Sequence, residues 1–127
     1  MTAKDYLNRA RRIDRRIGET RERLKRMRAQ LEGIARSPGG KPWTDYVDSM
    51  IDLERRMNRQ VGELCGVKME VMDAIETVED GVLREVLELY YLDGLSWAEV
   101  AGRMHYSIRN VQILHSKALG RVRVPGA

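Results

Sequence analysis

Apolar positions in the first third of the chain recur at steps of three and four, alternating after one early repeat of three. They are Leu7, Ala10, Ile13, Ile17, Leu24, Met27, Leu31 and Ile34, with Thr20 as the polar member. A seam of this period predicts a long helix built to pair along its length. Thr2 can cap it, and it should run to Arg36. The segment SPGGKPWT then stops any helix with its prolines and its Gly-Gly pair. Thr44 is the expected cap of a second rod, from Asp45 to about Glu79. Its seam is Val47, Met50, Glu54, Met57, Val61, Leu64, Lys68, Val71, Ile75 and Val78. Two matched rods joined by a short connector predict an antiparallel coiled-coil hairpin, with the loop at Ser37–Trp43 far from the C-terminal unit. The second rod carries apolar residues beyond this seam: Ile51, Leu53, Val67, Met69 and Met72. So wide a face implies a second contact, either with the C-terminal unit or with another hairpin.

After Asp80-Gly81 the pattern shortens. Leu83, Val86, Leu87 and Tyr90 mark one side of a helix from Val82 to Leu92, closed by Asp93-Gly94. Ser96 followed by Glu99 is a capping box that opens a helix from Trp97 to Met104, with Val100, Ala101 and Met104 on one face. The chain turns at His105-Tyr106, and Ser107 can cap a last helix whose buried stripe is Val111, Leu114, Ala118 and Val122. Two helices joined by so short a turn must cross steeply, as in a helix-turn-helix. The expected fold is therefore all-α: a helical hairpin over 1–80 and a three-helix helix-turn-helix unit over 81–127. So small a unit buries little surface alone, and docking against the hairpin is expected.

Opposite the stripe of the last helix lie Arg109, Gln112, Ile113 and Ser116, flanked by Asn110 and Lys117. Arginine, asparagine and glutamine carry the forked groups that match guanine and adenine edges. In a helix-turn-helix the second helix offers such a face to the major groove. Lys117, Arg121 and Arg123 stand late on that helix or beyond it, where they can meet phosphates. The competing reading is structural, since polar residues opposite a core stripe also make an ordinary solvated face.

Charge changes the picture of the first rod. Residues 1–36 balance to +7 and residues 45–80 to −6, within a chain of net charge +4. A run such as RARRIDRR resembles a nucleic-acid arm in isolation, but an acidic rod in the same chain is the expected partner, Arg11 and Arg15 included. No apolar run is long enough to span a bilayer and no signal segment opens the chain, so a cytoplasmic location is expected. The single cysteine, Cys65, excludes an intramolecular disulfide and is expected to be a buried small hydrophobe. His105 and His115 lack metal-ligand company. His115 is expected either against the phosphate backbone or beside the core. The acidic pairs Asp48/Asp52 and Asp73/Glu76 sit at helix spacing and read as solvated faces. No nucleophile–base pair and no phosphate-cradling loop is present, so neither enzyme activity nor a cofactor is expected.

The stretch YYLDGLSWAEVAGRMHYSIRNVQILHSKALGRV resembles region four of bacterial sigma factors over about residues 82–122. With the opening TAKDYLNRARRIDRRI and the hairpin layout, the whole chain resembles a family of small prophage-encoded region-four-like proteins. Phage late-operon transcriptional regulators are neighbours of that group. The resemblance implies a transcriptional regulator that binds double-stranded DNA and contacts RNA polymerase. It carries base contact onto Arg109, Asn110, Gln112 and Ile113. His105 stands where the family commonly has glycine, and Ile113 where a polar base-reader is common; the latter implies a thymine-methyl contact or a changed target. The full expected DNA-binding set is Ser107, Arg109, Asn110, Gln112, Ile113, Ser116, Lys117 and Arg121, acting in a homodimer. The alternative is a coiled-coil adaptor of phage assembly or DNA packaging, with the helix-turn-helix as scaffold.

Overall fold

A computed structural model of the chain describes residues 1–35 and 43–126, and among them every regular element is helical. Two long helices, α1 (Ala3–Ala35) and α2 (Trp43–Ile75), precede α3 (Gly81–Leu87), which widens into a π-helical turn over Glu88–Leu92. Then come α4 (Trp97–Met104) and α5 (Ile108–Leu119). The architecture is the expected hairpin followed by a smaller helical unit. The expected loop at Ser37–Trp43 falls, up to Pro42, outside the described residues. By packing, the chain forms two units: Met1–Arg12 with Leu64–Ala127, and Ile13–Glu63.

Within the second unit α1 and α2 run antiparallel. Ile17, Thr20 and Leu24 are buried, and Met27 and Leu31 half-buried, as the seam predicts. The α2 side differs by one position. Val61 is 42% exposed, whereas Leu53 and Gln60 turn inward. The reason is local: the Thr20 hydroxyl donates to Gln60 Oε1 at 3.0 Å, so the two seams satisfy each other with a polar pair. Glu54, the other polar intruder in this stretch, meets Arg28 at 3.4 Å. Helix α2 begins at Trp43, so Thr44 lies within it rather than capping it.

In the first unit Thr2 accepts from the Asp5 N–H at 3.1 Å and starts α1 as expected. Tyr6, Leu7 and Ala10 share a core with Val71, Ala74 and Ile75 of the other rod, Val78 just past it, and Leu83, Leu87, Tyr91 and Ala118. The C-terminal helices thus dock on the hairpin base. Arg9 pairs with Glu70 at 2.8 Å across the rods. Arg11 overturns the expectation that it faces the acidic rod. Its guanidinium instead donates to the Tyr90 and Leu95 carbonyls at 2.7 and 3.1 Å. Two carbonyl oxygens that both accept from Nη1 at a helix end outcompete a solvated carboxylate on a neighbouring rod.

Helix α2 stops at Ile75, short of the expected Glu79, because the Thr77 hydroxyl takes the Ala74 carbonyl at 2.6 Å and turns the chain. Asp80 then caps α3 through the Val82 and Leu83 N–H groups. Arg84 reaches back to the Val78 and Glu79 carbonyls at 3.0 and 3.1 Å, fixing the linker. Cys65 is exposed, not buried: it sits one position past Leu64, on the outer face of α2. Of the surplus apolar residues, Val67 joins the core while Met69 and Met72 remain 69% and 46% exposed.

Candidate nucleic-acid interface

The local signals around α4 and α5 are satisfied atom by atom. Ser96 Oγ accepts from the Glu99 N–H at 3.2 Å, and Glu99 Oε1 accepts from the Ser96 N–H at 3.2 Å. These bonds favour the charged form and hold the Glu99 carboxyl below its usual range. His105 closes α4 at φ 60 and ψ 38, the left-handed conformation that glycine most readily takes. Ser107 Oγ then accepts from the Asn110 N–H at 3.1 Å and opens α5.

Two cores orient α5. Its N-terminal half buries Val111 with Leu89, Val100 and Ala101, while Ala118 joins the hairpin-base core with Leu114 and Val122 against it. Between them His115 is buried, its Nε2 2.7 Å from the Tyr91 hydroxyl. Of the two locations expected for this histidine, it takes the one beside the core. Burial, helped by the positive charge of Lys4, pushes its pKa down to about 4, and burial also raises the Tyr91 phenol. Both groups are held neutral.

The opposite face of α5 is open. Arg109, Gln112, Ile113 and Ser116 are exposed at helical neighbour spacing, with exposed Asn110 and Lys117 along one flank. Ser107 is exposed while its oxygen serves the cap, and Arg121 is exposed just past the C-cap Gly120. Tyr106 and Ile108, at 42% and 47% exposure, extend the apolar contribution of Ile113 around the start of the helix. Neither is marked by the sequence pattern, because a turn residue and a first-turn isoleucine follow no period. No acidic residue follows Glu99 in the chain, while Arg103, Arg109, Lys117, Arg121 and Arg123 are all exposed. The first turn of α5 carries no acid to offset its positive end. Among the described residues no group of three or more histidine, cysteine or acidic side chains is arranged to hold a metal. No helix of the described residues is long and apolar enough to cross a membrane.

Capped α4, a left-handed turn and α5 with an exposed cationic, forked-donor face have the layout of a helix-turn-helix. Residues 80–122 match the family model for sigma-70, region 4. This segment is thus similar to sigma region four, a DNA-binding rather than a catalytic type of domain. No curated protein and no solved structure matches the chain.

Proposed function

We propose that the protein is a sequence-specific transcriptional regulator of phage or prophage origin. In this reading residues 81–127 bind double-stranded DNA with α5 in the major groove, and residues 1–80 serve as their scaffold. The observation that carries it is the open face of α5, where Arg109, Asn110 and Gln112 stand exposed on a helix fixed from behind by two cores. Arg109, Asn110, Gln112 and Ile113 meet base edges, Ser107 and Ser116 border them, and Lys117 and Arg121 meet phosphates. RNA polymerase contact, a cytoplasmic location and two-fold pairing through the exposed apolar side of α2 belong to the same reading. The test is selection of bound fragments from a random DNA pool at two salt concentrations. A common sequence enriched at both supports the reading, and recovery of unrelated fragments that vanish at the higher salt counts against it.

A second reading, a protein-interaction adaptor, draws on exposed Met69 and Met72 of α2. It expects substitutions there to abolish partner capture and substitutions at Arg109 and Gln112 to be silent.

A further inference from the structure

Arg11 belongs to α1, yet its guanidinium engages the segment that leads into the helix-turn-helix. Its guanidinium donates to the carbonyls of Tyr90 and Leu95, at the end of the π-helical turn and the start of the linker to α4. The same group lies 3.9 Å from the centre of the Tyr90 ring. Trp97 stacks on Tyr90 at 3.8 Å with the planes 9° apart. A ring has two faces, and two groups this close cannot share one, so Tyr90 is held between the guanidinium and the indole. Trp97 in turn meets the His115 ring edge-on at 4.6 Å, and His115 is bonded to Tyr91. A continuous stack therefore joins α1 to the first residue of α4 and to the middle of α5. His115 is one position from Ser116 and three from Gln112 on that helix.

We infer that Arg11 is a positioning residue for recognition by α5, setting the placement of its exposed face through the Tyr90–Trp97–His115 stack. The inference rests on the DNA-binding reading above. Loss of one charge-assisted clamp leaves both cores in place but frees the stack to shift. A shift of a few tenths of an ångström at α5 is enough to misalign bidentate contacts. Both carbonyls accept from the one nitrogen Nη1, which an ammonium could imitate, but lysine has no planar group to lay over the Tyr90 ring.

The experiment uses the full chain with Trp43→Phe, which leaves Trp97 as its sole tryptophan. Arg11→Ala and Arg11→Lys are compared with Leu24→Ala, a control that weakens the buried hairpin seam elsewhere. All are measured where circular dichroism reports them folded. Both Arg11 variants are expected to change Trp97 emission in the free protein and to lower the ratio of specific to non-specific DNA affinity about tenfold. The salt slope should not move, and Leu24→Ala should leave emission and ratio unaltered. Unchanged Trp97 emission in both Arg11 variants overturns the inference. So does a slope that falls by about one with the ratio intact, which makes Arg11 a phosphate contact. An unaltered chain that prefers no sequence removes the DNA-binding reading. Trp97 emission then still decides whether Arg11 fixes the stack, so the two failures are distinguishable.

Discussion

At the scale of single residues, His115 and His105 show how one side-chain type is used in two ways. His115 is buried against Tyr91, and its pKa is lowered from 6.5 to about 4. Protons therefore bind the unfolded chain more readily than the folded one between those values. The stabilisation is complete above about pH 6.5 and is lost as the pH falls toward 4, amounting to roughly 1–3 kcal/mol. Thermal melts should show this decline in the native chain, and His115→Gln should flatten it; an equal decline in both would contradict the assignment. Tyr91→Phe strands the imidazole nitrogen in a dry site and should cost roughly 1–3 kcal/mol. His105 is exposed and held at a φ of 60. His105→Gly removes the cost of the left-handed backbone and should raise stability by roughly 0.5–1 kcal/mol, measured by denaturant midpoint at constant m-value. A loss of stability would mean that the imidazole itself holds the turn.

Elements were legible where their signals are local. The Ser96–Glu99 box, the Ser107 cap and the Gly94 closure after the π-helical turn each depend on residues within four positions, and the structure uses them as read. Ser96→Ala and Ser107→Ala should each cost about 1 kcal/mol by chemical denaturation; a change near zero at either would mean that tertiary packing alone starts that helix. The α2 seam was legible only to within one position. Periodicity favours Val61 because it is apolar, yet the partner that matters is Thr20, and a hydroxyl prefers the amide of Gln60. The π-helical turn over Glu88–Leu92 was not legible. It lets Leu89 enter one core and Tyr91 the other, a demand set by α4 and α5 rather than by the residues of the turn.

For the whole molecule, the least legible feature is the attachment of α1 to the C-terminal helices. Arg11 and Tyr90 are 79 positions apart in the chain, and charge counting assigned the arginine to the wrong neighbour. The open face of α5 was legible because exposure opposite a buried stripe follows from helical period alone. Leu7 and Val71, both fully buried in the shared core, tie the hairpin base to α3 and α5. Leu7→Ala or Val71→Ala should therefore destabilise the C-terminal unit as well, by roughly 2–5 kcal/mol for the leucine, and lower its melting point. Loss of the hairpin signal alone, with near-ultraviolet signal from Tyr91 retained, would contradict a common core. Two-fold pairing is expected to appear in sedimentation as a concentration-dependent mass that Met69→Glu and Met72→Glu abolish. A concentration-independent monomer at micromolar protein would remove it.

The central claim is that α5 reads DNA, and binding of a selected DNA fragment across a salt series tests it most directly. Arg109→Ala and Gln112→Ala should each lose roughly 1–3 kcal/mol of discrimination and relax sequence preference. For Gln112→Ala the salt slope should stay as in the native chain, and for Arg109→Ala as well unless it also pairs with a phosphate. Lys117→Ala and Arg121→Ala should weaken all sequences alike and reduce the slope by about one. Binding that ignores Arg109 and Gln112 but collapses with Arg12→Ala or Arg15→Ala would contradict the account, moving nucleic-acid contact to α1 and leaving α5 as scaffold.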